Sequence, residues 1–259
     1  MDYLPFIEPG PWNFLGMHVT AFGLCMALGI FLTYCLASWR AAKVGLSSRT
    51  VQTLFVIVVG LGFVFAHIIN VIFYRWDVFS QNPAILFRLG QGTSSAGGML
   101  GGLIGYFASK AFLKIPPETA KRYFDCVWFA VPFGWFLGRM GCTFAHDHKG
   151  PLTTFFFAVN YPEGPRHNLG LYEALYSILI AAVFWWRAKD LKRSSADPLY
   201  FVKLFFWFYA PFRFFLDFLR SPLADGGDAR TFGLTFAQFG CLAALGILIL
   251  NRWKRQTGR

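Results

Sequence analysis

Seven long apolar runs restrict what this chain can fold into more than any other feature. Each has the roughly 20 residues that a helix needs to cross a hydrocarbon layer about 30 Å thick. They lie near 14–36, 52–74, 96–113, 123–145, 169–186, 199–219 and 232–251. Only 14% of the 259 residues are charged and 56% are hydrophobic, whereas a soluble domain is roughly 25% charged. We therefore expect an all-α, polytopic membrane protein with seven transmembrane helices, built as a single membrane-embedded domain over residues 1–259.

Basic residues are distributed unevenly between the loops, and this predicts the orientation. They follow the first, third, fifth and seventh runs: Arg40, Lys43, Arg49, Lys114, Lys121, Arg122, Arg187, Lys189, Lys192, Arg193, Arg252, Lys254, Arg255 and Arg259. By the positive-inside rule these loops are cytoplasmic. The N-terminus then faces outward, the C-terminus is cytoplasmic, and the loop at 153–168 is long enough to form a small cap on the outer face.

The remaining composition excludes several classes of protein. The net charge of +11 follows from the loop pattern, so it does not indicate nucleic-acid binding. The first ten residues contain no lysine or arginine, so we expect the first apolar segment to be retained rather than cleaved as a signal peptide. The five cysteines have neither metal-ligand nor CxxC spacing, and we expect no disulfide framework and no metal site.

The segment 138–150 is where an apolar run becomes ionisable. Arg139 lies just inside the end of a membrane-length helix, where an unpartnered charge is costly, so it indicates a partner or a ligand. Arg139, Cys142 and His146 are spaced i, i+3 and i+7 and therefore share one helix face. His146, Asp147 and His148 then place two imidazoles beside a carboxylate, an arrangement suited to a general base near neutral pH. The alternative is a solvated loop whose histidines have no chemical role.

A second polar stripe runs along the sixth apolar run. Tyr209, Arg213, Asp217 and Arg220 recur at helical spacing among phenylalanines. Arg213 and Asp217 form either an internal ion pair or part of an anion site, and the sequence alone does not separate these interpretations. In the third run, Gly97 and Gly98 allow either tight helix packing or the approach of a lipid chain.

The order of these features along the chain resembles that of the prolipoprotein diacylglyceryl transferase family. Members of this family are bacterial inner-membrane enzymes that move diacylglyceryl from phosphatidylglycerol to a lipobox cysteine. The segment 138–150 is similar to the family's GRxxNFxNxExxG, and the segments 97–98, 171–175 and 209–220 also match. The resemblance implies a multi-pass protein of the bacterial inner membrane, acting as a monomer without a cofactor. Its partners would be phosphatidylglycerol, the prolipoprotein signal peptide with its lipobox cysteine, and the bilayer.

The resemblance implies functional roles for Arg139, Asp147, Gly150, Tyr209 and Arg213, with Arg139 and Arg213 gripping the phosphate. With the two histidines beside Asp147 added, the predicted catalytic set is Arg139, Arg213, Tyr209, Asp147, His146 and His148. The predicted substrate-binding set is Arg139, Arg213, Gly150, Gly97, Gly98, Cys142, His67 and Arg220. No metal is implied.

Several family positions differ in this chain. Cys142 replaces an asparagine of the signature, Ala96 replaces the histidine before Gly97, and His67 stands where an arginine is expected. We therefore predict that the base has moved to the group at 146–148, and that activity rises through about pH 6.5, the free histidine value. Two alternatives remain open: a diverged paralogue with another acceptor, and a non-catalytic homologue that binds or transports phospholipid.

Overall fold

The computed structural model describes residues 3–14, 17–87, 94–221 and 230–257. The helices in these ranges are α1 (Ala21–Lys43), α2 (Ser48–Tyr74), α3 (Trp76–Gln81), α4 (Ser95–Phe112), α5 (Pro117–Ala145), α6 (Leu169–Ala188), α7 (Leu191–Ala196), α8 (Tyr200–Leu216) and α9 (Phe236–Thr257). A helix occupies each of the seven predicted apolar runs. The two additional helices, α3 and α7, have 6 residues each and act as connectors.

Four of the described helices are long and apolar enough to cross a membrane. They are α1, α2, α6 and α9, with mean hydropathies of 1.9, 2.5, 1.5 and 1.4 over their most apolar windows. The protein is therefore a mostly helical membrane protein. That α4, α5 and α8 also span the bilayer stays a prediction.

The first apolar run was placed too early. Instead of a helix over 14–36, Trp12–Phe14 (β2) pairs antiparallel with Met17–Val19 (β3), and α1 begins only at Ala21. The Thr20 hydroxyl accepts a hydrogen bond from the backbone N–H of Gly23 at 3.1 Å and so marks the helix start. Hydropathy counts apolar residues without regard to their period, and it therefore cannot separate an aromatic hairpin from a helix.

Backbone contacts divide the chain into two units. The first contains residues 1–37 and 124–259, and the second contains residues 38–123. The single domain over residues 1–259 stays a prediction.

In the first unit, helices α5, α6 and α8 share a core of large aromatic side chains. Phe129, Phe184 and Phe201 are fully buried, and the Phe201 ring contacts those of Phe129 and Phe184. The Asp125 carboxylate accepts the backbone N–H groups of Phe201 and Val202 at 2.6 and 3.1 Å. Because those N–H groups belong to the first turn of α8 and have no partner within the helix, Asp125 fixes the start of α8 against α5.

The first unit also contains a small sheet that the all-α prediction did not include. Its strands are β1 (Leu4–Pro5), β4 (Lys149–Leu152), β5 (Val159–Tyr161) and β6 (Gly164–Asn168), in the order β1-β5-β6-β4. β1 runs parallel to β5, and the other pairs are antiparallel. β7 (Arg230–Thr231) and β8 (Leu234–Thr235) form a separate short pair before α9. The predicted cap segment is therefore a β-structure, and its place on the outer face stays a prediction.

In the second unit, α2 and α4 approach each other closely. A Cβ added at Gly97 would lie 2.5 Å from the Phe65 carbonyl oxygen, whereas one at Gly98 would meet only ordinary contacts, the nearest being the Ala66 Cβ at 3.8 Å. Gly97 therefore permits the helix contact, which supports the packing interpretation. His67 is buried in the same unit, with its Nε2 3.1 Å from the Leu86 carbonyl oxygen.

Candidate active site

One carboxylate joins two arginines in the first unit. Glu173, in the second turn of α6, is only 1% exposed. Its Oε1 lies 2.5 Å from Nη1 of Arg213 on α8, and its Oε2 contacts Nε of Arg139 on α5. Side chains from α5, α6 and α8 thus form one buried ion-pair network, to which each helix contributes one residue.

A second buried carboxylate extends this arrangement. Asp217, in the 3₁₀ turn Asp217–Leu219 after α8, lies 2.8 Å from Nη2 of Arg213 and 2.9 Å from Nε of Arg220. Its other oxygen accepts a hydrogen bond from the Thr235 hydroxyl. We call Arg139, Glu173, Arg213, Asp217 and Arg220 the arginine cluster.

The arginine cluster is electrically unbalanced. Its three guanidinium groups carry +3 and its two carboxylates −2, leaving +1. Of the two interpretations of the sequence pattern, the internal ion pair between Arg213 and Asp217 is confirmed. The remaining positive charge is one that a single anion would neutralise.

Aromatic side chains hold Arg139 from two sides. The guanidinium lies 4.8 Å from the Trp135 ring centroid, and the Tyr209 hydroxyl is close enough to interact with its charge. The Tyr209 ring meets Trp135 edge to face and stacks on Phe205. The planar fork of Arg139 is therefore fixed in orientation before any ligand binds.

A second group of polar side chains adjoins Arg139 where α5 ends. The Cys142 Sγ lies 3.8 Å from Nη1 of Arg139. The Cys142 Sγ, an Asp147 carboxylate oxygen and a His148 ring nitrogen all lie within 4.8 Å of one another. Asp147 and His148 are 3.8 Å apart, and the Asp147 side chain is 45% exposed. We call Cys142, Asp147 and His148 the thiol–carboxylate–imidazole group.

The electrostatics of this group follow from burial and the nearby arginines. Burial and the positive charges of Arg139, Arg220 and Arg213 together lower the pKa of His148 to about 3, burial having the largest effect. Burial raises the pKa of Asp147, and Arg139 opposes that rise. His148 is therefore neutral at physiological pH, with a ring nitrogen free of a proton.

A thiol, a carboxylate and an imidazole are also the ligand types that zinc accepts. Arg139 lies against the thiol, and Arg213 and Arg220 act on His148. A divalent cation would be repelled by all three, so the arrangement favours proton transfer beside a bound anion.

His146 lies apart from this group. One of its ring nitrogens is 3.2 Å from the Tyr161 hydroxyl and the other is 3.0 Å from the Ile7 carbonyl oxygen, and the ring stacks on Phe6 at 4.2 Å. Its φ of 52° lies in the left-handed region. These contacts indicate a structural role for His146, which connects the end of α5 to the sheet.

Gly150 permits a close backbone contact in β4. A Cβ at this position would lie 2.7 Å from the Leu219 carbonyl oxygen and 2.8 Å from the His167 Cβ. Glycine thus lets the strand approach the turn that carries Asp217. Of the other predicted site residues, Gly97, Gly98 and His67 belong to the second unit described above.

The predicted site lacked Glu173, although a signal for it was present. Glu173 is the only acidic residue in the apolar run 169–186. An ionisable residue inside such a run indicates a functional position by default.

Comparisons with known proteins identify the family of the chain. The family model for prolipoprotein diacylglyceryl transferase matches residues 9–252. The phosphatidylglycerol–prolipoprotein diacylglyceryl transferase of Pasteurella multocida is 34% identical over 216 residues, covering 80% of this chain and 76% of that protein. That of Nitratidesulfovibrio vulgaris is 28% identical over 267 residues, covering 96% and 95%. That of Mannheimia succiniciproducens is 34% identical over 166 residues, covering 61% of this chain and 58% of that protein. On its sequence and its match to the family model, the chain belongs to the prolipoprotein diacylglyceryl transferase family.

Proposed function

We propose that this protein transfers a diacylglyceryl group from phosphatidylglycerol to the cysteine thiol of prolipoproteins. The observation that carries the proposal is the buried arginine cluster, whose excess of one positive charge matches the single negative charge of a phosphodiester. The names of the relatives give the same donor and acceptor.

Arg139 and Arg213 are the groups that hold the donor phosphate. Guanidinium forks match phosphate oxygens in pairs. Both arginines already contact Glu173, which sets the two forks at a common point. The attraction within a buried ion pair is partly offset by the cost of desolvating its charges. An incoming phosphate can therefore share these guanidinium groups with Glu173.

The reaction breaks the bond between the glycerol carbon and the phosphate oxygen of the donor and forms a carbon–sulfur bond to the acceptor. The thiolate displaces glycerol phosphate, and the product on the peptide is a thioether. The leaving phosphate gains a negative charge as the bond breaks. Preorganised arginines stabilise that charge more in the transition state than in the ground state.

The acceptor thiol must lose its proton, because its free pKa is about 8.5. Asp147 and His148 are the proton acceptors of this site. They lie next to Arg139, so they are within one side-chain length of the held phosphate. Cys142 lies between them and Arg139, while His146 and Gly150 hold the surrounding backbone.

In the membrane, seven helices span the bacterial inner membrane, with the N-terminus outside and the C-terminus in the cytoplasm. The loop charges support this orientation. It places the end of α5, the sheet and the arginine cluster towards the outer face, where prolipoproteins emerge. We expect the protein to act as a monomer.

The test is transfer by the purified full chain in phosphatidylglycerol vesicles. Phosphatidylglycerol labelled in its glycerol backbone is mixed with a lipobox peptide, and both the lipidated peptide and the released glycerol phosphate are measured. We expect equal amounts of the two products. Release without peptide lipidation would show a different acceptor, and vesicle binding without release would show a non-catalytic lipid binder.

A further inference from the structure

A small pocket opens at the end of α5 in the first unit. It has a volume of about 320 Å³. Its walls are the segment Glu8–Pro11, the start of α1 at Thr20–Phe22, and Phe144, Ala145 and Asp147. We call it the rim pocket. The described residues of the arginine cluster are not among its walls.

Asp147 connects the rim pocket to the reaction centre. It lines the pocket and also lies within 4.8 Å of the Cys142 sulfur and the His148 ring. Its side chain is 45% exposed, whereas that of Glu173 is 1% exposed. A ligand in the rim pocket can therefore reach the Asp147 carboxylate, while Glu173 is closed to it.

The donor and the acceptor must reach the reaction centre from two different sides. In a displacement at saturated carbon, the nucleophile attacks from the side opposite the leaving group, so the reacting atoms must be aligned. Arg139 and Arg213 hold the leaving phosphate. The acceptor must then arrive by a route that does not pass between these two arginines, and the rim pocket, which has the proton acceptor Asp147 in its wall, offers such a route.

We propose that the rim pocket binds the cysteine of the acceptor peptide, with its thiol directed at Asp147. This rests on the proposed function and assigns the place of its second substrate. The Phe22 and Phe144 side chains supply apolar walls for a cysteine and a small neighbouring residue. The volume of about 320 Å³ admits a short side chain.

The start of α1 adds to this fit. Residues 20–22 form one wall, and the first-turn N–H groups of a helix favour a nearby anion. A thiolate formed by proton transfer to Asp147 would be stabilised there, as thiolates are at helix N-termini.

Filling the pocket provides the kinetic test. Ala145 is exposed, lines the pocket and belongs to neither polar group, so Ala145→Leu reduces the space without removing a reacting side chain. We expect the KM for a lipobox peptide to rise about tenfold or more, with the KM for phosphatidylglycerol unchanged. Ala243→Leu on α9, also at an exposed alanine of the first unit, is the matched control and should change neither value.

A disulfide exchange between the enzyme and the peptide reports where the peptide cysteine binds, and it does not require turnover. The lipobox peptide is supplied with its cysteine as a thiopyridyl mixed disulfide. The thiolate of Ala145→Cys attacks that sulfur, links enzyme to peptide and releases thiopyridine. Mass spectrometry identifies the linked residue. We expect linkage at position 145 to exceed that at position 243 in the Ala243→Cys control.

The outcomes separate this inference from the proposed function. A higher KM for phosphatidylglycerol in Ala145→Leu would place the donor headgroup in the pocket and overturn the inference. Unchanged KM values with equal linkage at positions 145 and 243 would also overturn it. Absence of turnover in the unmodified protein with selective linkage at 145 would refute the proposed reaction and support the peptide site.

Discussion

Glu173 on α6 lies 2.5 Å from Arg213 on α8, both side chains being buried. The same carboxylate also contacts Arg139 on α5. A single acidic residue therefore holds together two arginines that are 74 positions apart in the sequence. The geometry of the proposed phosphate site depends on this residue as much as on the arginines.

Replacing Glu173 by glutamine should destabilise the protein. The change leaves Arg139 and Arg213 buried without their shared counter-charge, and breaking a buried ion pair costs about 3–5 kcal/mol. A lower Tm in detergent would measure this loss. The matched control is Glu163→Gln, since the exposed Glu163 pairs with Lys149 and Arg166 at the sheet surface. Equal Tm changes in the two variants would contradict a special role for Glu173.

Lysine should not replace the arginines of the site. An ammonium group cannot contact a carboxylate and a phosphate through a planar fork, so Arg139→Lys and Arg213→Lys should lose nearly as much phosphatidylglycerol turnover as the alanine variants. Arg187→Lys, at the other end of α6, is the control and should retain turnover. If lysine at both positions 139 and 213 supported full turnover, the arginines would be structural.

Cysteine labelling from outside the cell tests the orientation. The reporter Thr153→Cys should react with a membrane-impermeant reagent and Ser195→Cys should not, because the basic loops indicate that residue 195 is cytoplasmic. Both native side chains are half-buried, so exposure within the fold does not by itself distinguish them. The reverse labelling pattern would refute the outward position of the arginine cluster.

The helical part of the fold was predictable because membrane-length apolar runs have few alternatives. All seven runs contain a helix, and most bounds agree within a few residues. The pairing of Trp12–Phe14 with Met17–Val19 was not predictable from hydropathy, since a hydropathy profile does not separate these apolar residues from a helix start. The sheet at 149–168 was missed because its strands have three to five residues and depend on pairing with β1 and with one another.

The site was predictable where the residues lie close in sequence. Arg213, Asp217 and Arg220 are spaced for one helix face, and their ion pairs are present. Glu173 comes from another helix, so its contacts with both arginines arise only from tertiary packing. The separation of His146 from His148 also requires structure, because a positive φ at His146 turns the chain between them.

The two histidines after α5 should behave differently. His148→Gln should lower turnover roughly 10²-fold, the contribution of a general base, because His148 adjoins Asp147 and Cys142. His146→Gln should mainly lower Tm, since it loses the contacts to Tyr161 and Ile7. The double variant should resemble His148→Gln in turnover. An equal loss of turnover in both single variants would contradict the assignment.

The pH dependence of stability reports on His148. Its pKa is about 3 in the folded protein, because it is buried and faces Arg139, Arg213 and Arg220, while a hydrogen bond with the Asp147 backbone acts in the opposite direction. In the unfolded chain the value is about 6.5. Between these values the unfolded state binds more protons, so stability should rise with pH from about 3 to about 6.5 and then become constant.

The same pKa changes what is expected of activity. A rise of turnover through about pH 6.5, expected for a free histidine, does not fit His148 in the unliganded protein. A bound phosphate would offset the arginine charges and raise the pKa of His148, making it a stronger base only when the donor is present.

We expect Tm to fall less steeply on acidification in His148→Gln than in the unmodified protein, with a constant difference above pH 7. A phosphate-containing lipid should reduce the acid sensitivity of the unmodified protein alone. Identical pH profiles of Tm in the two proteins would show that His148 does not titrate as its surroundings require.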